Sequence, residues 1–128
     1  MKQGFLLFLS LCFMGCYSNK RECKDFKTGK FTFNYTIDGE ERTGEFIRTE
    51  ELNIDYYEGK VDSASIRWIN ECEFIQTKIN PKSRSEETPI HMKILSTTDS
   101  SYTFEYKLAV KKPNAKQRVE RGTAYIKN

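Results

Sequence analysis

Residue types that commonly carry catalysis are sparse in this chain. The single histidine of its 128 residues, His91, sits between Ile90 and Met92 in an alternating stretch, and the alternation assigns it to a solvent-facing side. A serine or cysteine nucleophile needs a base within reach, most often histidine, and no Gly-x-Ser-x-Gly surrounds any serine here. Adjacent carboxylates can move protons, and Glu40-Glu41, Glu50-Glu51 and Glu86-Glu87 are such pairs, but each falls at an expected turn or loop, where acids form a solvated surface. A metal centre would have to gather Cys23, Cys72 and His91 with a fourth ligand, without the Cys-x-x-Cys or His-x-x-x-His spacing that usually marks one. No catalytic residue, metal or cofactor is expected, and the chain reads as non-enzymatic. Lys111, Lys112, Lys116, Arg118 and Arg121 form a basic stretch around Pro113. It reads as a solvated hairpin, with contact to anionic headgroups or polymer as the functional alternative.

The elements that must position these residues are strands. Phe31, Phe33, Tyr35 and Ile37 alternate with Thr32, Asn34 and Thr36, and Asp38-Gly39 supplies a turn. Arg42–Thr49 returns with Phe46 as its apolar anchor, Leu52–Tyr57 follows, and Glu58-Gly59-Lys60 turns again. Val61–Ile69 puts Ala64, Ile66 and Trp68 on one face, and Cys72, Phe74 and Gln76 form a fifth short strand. Asn80–Pro89, with two prolines, two serines and four charged residues, reads as a loop without an element. Ile90–Leu95, a long strand carrying Tyr102, Phe104, Tyr106, Leu108 and Val110, and a last strand Val119–Ile126 complete the pattern. The expected fold is all-β, an antiparallel meander of about eight strands, a number able to close into a small barrel. The register puts Phe31, Phe33, Phe104 and Trp68 inside, and Thr32, Asn34, Thr103 and Glu105 outside.

Ahead of the strands, nine of the ten residues from Phe5 to Met14 are apolar and Lys2 precedes them. A bilayer span needs roughly 20 apolar residues, so this run reads as an export signal. Phe13-Met14-Gly15-Cys16 resembles the bacterial lipobox, which implies a diacylated Cys16 after cleavage; the alternative is ordinary secretion with Cys16 as one more thiol. Two acyl chains anchor a protein stably where one binds marginally. No acidic run follows Cys16, which favours the periplasmic face of the outer membrane. The expected organisation is a signal peptide at 1–15, a lipidated tether at 16–27 and a barrel-like domain at 28–128. No nucleic-acid partner is then expected, by compartment, despite a formal net charge of +3.

Of four cysteines, Cys12 leaves with the signal and Cys16 takes the lipid, so Cys23 and Cys72 remain in an oxidising compartment and read as one disulfide. Asp62-Ser63-Ala64 resembles a three-residue bacterial O-glycosylation motif, which implies modification of Ser63; the alternative is that Asp62 and Ser63 shape a turn.

The stretch Ser65-Ile66-Arg67-Trp68-Ile69-Asn70-Glu71-Cys72-Glu73-Phe74, with Cys23-Lys24-Asp25-Phe26-Lys27-Thr28-Gly29-Lys30-Phe31, resembles small flavobacterial-type envelope lipoproteins. That group has no established activity to carry over. Some members bear an automatic DNA topoisomerase IV label, which a chain this short, with no phosphate-cradling loop, is unable to fulfil. By analogy the fold is a small lipocalin-like barrel or half-barrel. Phe31, Phe33, Tyr35, Trp68, Phe104 and Tyr106 would then either line a ligand cavity or fill the interior, and the small size favours filling. The leading functional expectation is a non-enzymatic envelope lipoprotein, anchored to the membrane by its acyl chains, that binds a small hydrophobic ligand or an envelope protein. The alternative is a protein inhibitor of a cell-wall hydrolase, since membrane-bound lysozyme inhibitors are β-barrel lipoproteins of similar size.

Overall fold

The structure, a computed structural model, describes residues 21–110, 113–114 and 116–128. The segment expected to carry the signal, Cys16 and the first residues of the tether, through residue 20, lies outside the described residues, as do Lys111 and Lys112. Eight strands follow one another around a closed antiparallel barrel: β1 Gly29–Ile37, β2 Glu40–Arg48, β3 Leu52–Tyr57, β4 Lys60–Asn70, β5 Glu73–Lys78, β6 Ile90–Thr97, β7 Ser101–Leu108 and β8 Glu120–Ile126. Each strand pairs with the next, and β1 closes on β8 through Phe31↔Ile126, Thr32↔Tyr125 and Phe33↔Ala124.

Local chemistry fixes the hairpins. Asp38 and Gly39 both have positive φ, 52° and 79°, and so do Glu58 and Gly59, 50° and 72°, the backbone of a two-residue turn whose twist matches that of the strands it joins. The β1–β2 turn sets Ile37 opposite Glu40, and the β3–β4 turn sets Tyr57 opposite Lys60. The registers of β4 with β5 and of β6 with β7 shift at Trp68/Asn70 and Ile94/Ser96, both at the same end of the barrel. Such bulges raise the local twist and help draw a barrel end together.

That end is closed by the chain's own entry. A 3₁₀ turn, Cys23–Phe26, tucks Phe26 under the strands, and the Cys23–Cys72 disulfide ties it to the β4–β5 connection. Cys23 and Phe26 are buried with Phe31, Phe46, Ile94, Tyr102 and Ala124, while Phe33, Trp68 and Phe104 pack against them. Residues 23–26, expected within a tether, are therefore part of the barrel floor, because a fully buried phenylalanine and a disulfide hold them there. The Asn80–Pro89 connection also differs from expectation. It contains one helical turn, α1 Arg84–Glu87, whose first turn is capped by Ser83 Oγ accepting from Glu86 N at 3.3 Å. Ser83-x-x-Glu86 is a capping signature, and the turn forms because it satisfies backbone donors that two prolines do not block.

Phe31→Ala empties a fully buried site and is expected to cost about 3–5 kcal/mol, whereas the exposed Asn34→Ala should stay within about 0.5 kcal/mol. Urea denaturation of both variants checks this, and the reverse order would mean the register of β1 is displaced by one residue.

Candidate functional site

Inward-pointing positions divide by chemistry around the barrel. From β1, β6 and β7 come Phe33, Ile90, Met92, Phe104 and Tyr106, and from β2 to β5 come Phe46, Arg48, Asn53, Asp55 and Gln76. Together with Tyr102 they line a cavity of about 260 Å³ above the filled floor. Asp55, Gln76 and Ile90 also border an adjoining chamber of about 300 Å³ near the mouth, which continues along Asp62, Ala64 and Lys78 to Ser85 and Glu86 of α1.

The apolar wall is kept open by two glycines. Phe33 faces Gly44 across β1 and β2, and Phe104 faces Gly122 across β7 and β8. A Cβ at Gly122 would stand 2.8 Å from Cζ of Phe104, and one at Gly44 would overlap the Phe33 ring outright. Each ring lies across the backbone of its glycine instead of reaching into the barrel. Ring contacts climb from the floor along both sides, Phe31–Phe46 at 5.0 Å and Phe33–Phe46 at 6.0 Å on one, Tyr102–Phe104 at 5.7 Å and Phe104–Tyr106 at 6.1 Å on the other.

The base of the cavity holds a charge. Arg48 is 2% exposed, and its guanidinium carbon lies 4.9–5.5 Å from the ring centroids of Phe31, Phe46, Phe74 and Tyr102. Nη1 donates to the Phe26 carbonyl at 3.2 Å, Nη2 donates to the Tyr102 hydroxyl, and Nε is buried without a partner. No carboxylate among the described residues lies within ion-pair distance of it. A desolvated cation over an aromatic face gains about 2 kcal/mol or more, and four faces surround this one. Burial pushes the guanidinium down from its ordinary value, opposed by Tyr102, and burial likewise raises the Tyr102 hydroxyl.

Asp55 stands one step above, on β3. Asn53 Nδ2 donates to its Oδ1 at 3.0 Å, and Oδ2 has no hydrogen-bond partner among the described residues. Burial raises its pKa, partly offset by that hydrogen bond. At the mouth the charges are paired: Lys78 Nζ meets Glu86 Oε1 at 2.7 Å and Asp62 Oδ1 at 3.8 Å, the Tyr57 hydroxyl donates to Asp62 Oδ2 at 2.5 Å, and Arg42 Nη1 meets Glu58 Oε1 at 3.0 Å.

Of the six aromatics expected to line or fill the interior, Phe33, Phe104 and Tyr106 border the cavity. Tyr35 lies above Phe33, at 5.8 Å between ring centroids, and edge-on to Tyr57. Phe31 belongs to the floor, and Trp68 packs on Phe74 at 4.7 Å beneath the Lys27 ammonium. Filling and lining are thus divided along the barrel axis. Ser63 is half-buried in the interior of β4 opposite Ile54, so neither it nor Asp62 shapes a turn. His91 is on the outer face with Nε2 3.1 Å from Glu73 Oε1. Among the described residues no three His, Cys, Asp or Glu side chains converge as a metal site would require.

Arg48, Asn53 and Asp55 were not singled out by the sequence pattern, and β3 explains why. Its alternation offers Leu52, Ile54 and Tyr56 as the apolar face, yet Leu52 and Tyr56 are exposed and Asn53 is buried. The signal was the two-residue turn at Glu58-Gly59. It pairs Asn53 with Ala64 and Asp55 with Asp62, and because Ala64, Ile66 and Trp68 form the inner face of β4, the polar set of β3 must share it. Comparison of the chain with protein-family models, with curated proteins and with solved structures finds no match.

Two outcomes test the electrostatics. Arg48→Lys replaces a planar fork by a point charge that is unable to reach both Phe26 O and Tyr102 OH, and leaving one buried partner unmade should cost about 1–3 kcal/mol in urea denaturation. A loss near zero would show that the fork is not needed. For Asp55, burial raises the folded pKa above the unfolded one, so the cost of the carboxylate is absent at low pH and complete once pH has risen through the folded value. Asp55→Asn keeps an acceptor for Asn53, and its stability relative to the parent should therefore be higher at about pH 7 than at about pH 3, below the ordinary carboxylate range. A pH-independent difference would contradict this.

Proposed function

We propose that this protein is a non-enzymatic binding protein of the cell envelope, lipidated at Cys16, that takes a small hydrophobic ligand into the open half of its barrel. The observation that carries this reading is the cavity bordered by Phe33, Phe46, Phe104, Tyr106 and Met92 above a fully packed floor. A chain this short has little apolar area to spare, and leaving five large side chains bordering a void forgoes packing that a purely structural barrel would use. At about 260 Å³, with a further chamber of about 300 Å³ adjoining, the space is on the scale of small-molecule sites, which start near 300 Å³.

The floor also bears on the address. Residue 23 is fixed to the closed end, only a few residues after Cys16, so acyl chains on Cys16 would bring that end to the membrane and leave the mouth facing away from it. A ligand would then enter from the aqueous side, as a carrier or sensor at the periplasmic face of the outer membrane requires.

Titration with the fluorescent apolar probe N-phenyl-1-naphthylamine is expected to give saturable enhancement at about one probe per barrel. Replacing Gly44 by Val, which drives the Phe33 ring into the space, should weaken probe binding at least tenfold in protein that retains its cooperative unfolding transition. Absence of saturable binding to the unsubstituted protein would remove the cavity reading.

A further inference from the structure

We propose that the ligand is neutral and two-faced, a flat apolar molecule with a hydroxyl or amide group on one edge, held by the Asp55 and Gln76 side chains opposite the Phe33 and Phe104 rings. The inference rests on the cavity being a binding site and specifies what it accepts.

Two polar groups border the cavity with bonding capacity left over. Asp55 uses one oxygen for Asn53 and leaves the other unoccupied, and the Gln76 amide makes no hydrogen bond to any described residue. They come from β3 and β5, the strands flanking β4, and stand at the same height as Met92 and Ile90, which pair with the β5 positions Phe74 and Gln76. The polar edge and the aromatic wall are therefore side by side along the cavity, not stacked as a head site below a tail site. A hydroxyl fits such an edge, since it can donate to the carboxylate while accepting from the amide.

Charge argues for a neutral guest. Among the described residues the cations facing the interior have partners: Arg48 its rings, a carbonyl and a hydroxyl, with only its enclosed Nε left over, Lys78 the carboxylates of Glu86 and Asp62, and Arg42 that of Glu58. An anionic ligand would meet the Asp55 carboxylate, with Asp62 and Glu86 bordering the adjoining chamber, and a cationic one would meet the guanidinium of Arg48 beneath it. With one cation and one carboxylate bordering the cavity, a charged guest of either sign faces a like charge while it is desolvated, which costs more than burying a paired hydroxyl.

Isothermal titration with four flat probes of one skeleton separates the outcomes: naphthalene, 2-naphthol, 2-naphthoate and 2-naphthylmethylammonium. The expected result is 2-naphthol bound at least tenfold more tightly than naphthalene, with both charged probes weaker than 2-naphthol, and Asp55→Ala reducing the 2-naphthol advantage to below threefold. Equal binding of naphthalene and 2-naphthol would overturn the inference while leaving the cavity reading in place. Tightest binding by 2-naphthoate would overturn it in favour of Arg48 as an anion anchor, and tightest binding by the ammonium would do so in favour of Asp55 as a counter-ion. If no probe binds, the cavity reading itself fails and the inference falls with it.

Discussion

A single guanidinium joins the parts of this barrel. Arg48 contacts rings from β1, β2, β5 and β7 and donates to the carbonyl of Phe26, so its position depends on four strands and on the entry turn together. A cation in such a place is tolerable because the π faces, the carbonyl and the Tyr102 hydroxyl replace most of what water supplied. Its planarity matters as much as its charge, since a flat group can lie among rings and still direct two N–H groups along different lines. In the floor, the hydrogen bonds of Nη1 and Nη2 and the aromatic packing thus come from one set of groups, while Nε has no partner among the described residues.

From that floor upward the interior changes character within a few residues. Phe31, Phe74 and Ile94 are fully buried, while Phe33, Phe104 and Tyr106, further from the floor on β1 and β7, border open space. The change follows from where the small residues lie. Gly44 and Gly122 let two rings fold back onto the sheet, and the opposite wall carries Asn53, Asp55 and Gln76, which gain nothing from being pressed against hydrocarbon. A disulfide at the closed end limits the freedom of the chain there, and a helical turn tied to β5 through Lys78 and Glu86 borders the other end. Packing is concentrated at one end of the axis, and open space bordered by polar groups at the other.

Small domains bury a modest fraction of their surface and have little stability in reserve. Here the open half borrows rigidity from a floor reinforced by a covalent cross-link, a caged cation and β-bulges. The two-residue hairpins at Asp38-Gly39 and Glu58-Gly59 then keep that part of the mouth's rim short.

Much of the architecture was legible in the sequence because it depends on periods and turns that are local. Alternation located all eight strands, placed Phe31 and Trp68 inward, and the two Gly-containing turns fixed where hairpins close; cysteine arithmetic, on the expectation of an oxidising compartment, paired Cys23 with Cys72. What the sequence could not decide was which of two plausible faces of β3 looks inward, since Leu52 and Tyr56 are exposed while Asn53 is buried, and only pairing with β4 settles the matter. The cage around Arg48 was hidden for a related reason: its four rings are contributed by strands far apart in the chain and meet only when β1 closes on β8. Whether aromatics fill a barrel or line it is likewise a question of height along the axis, a coordinate that sequence periodicity does not contain and that closure of the sheet creates.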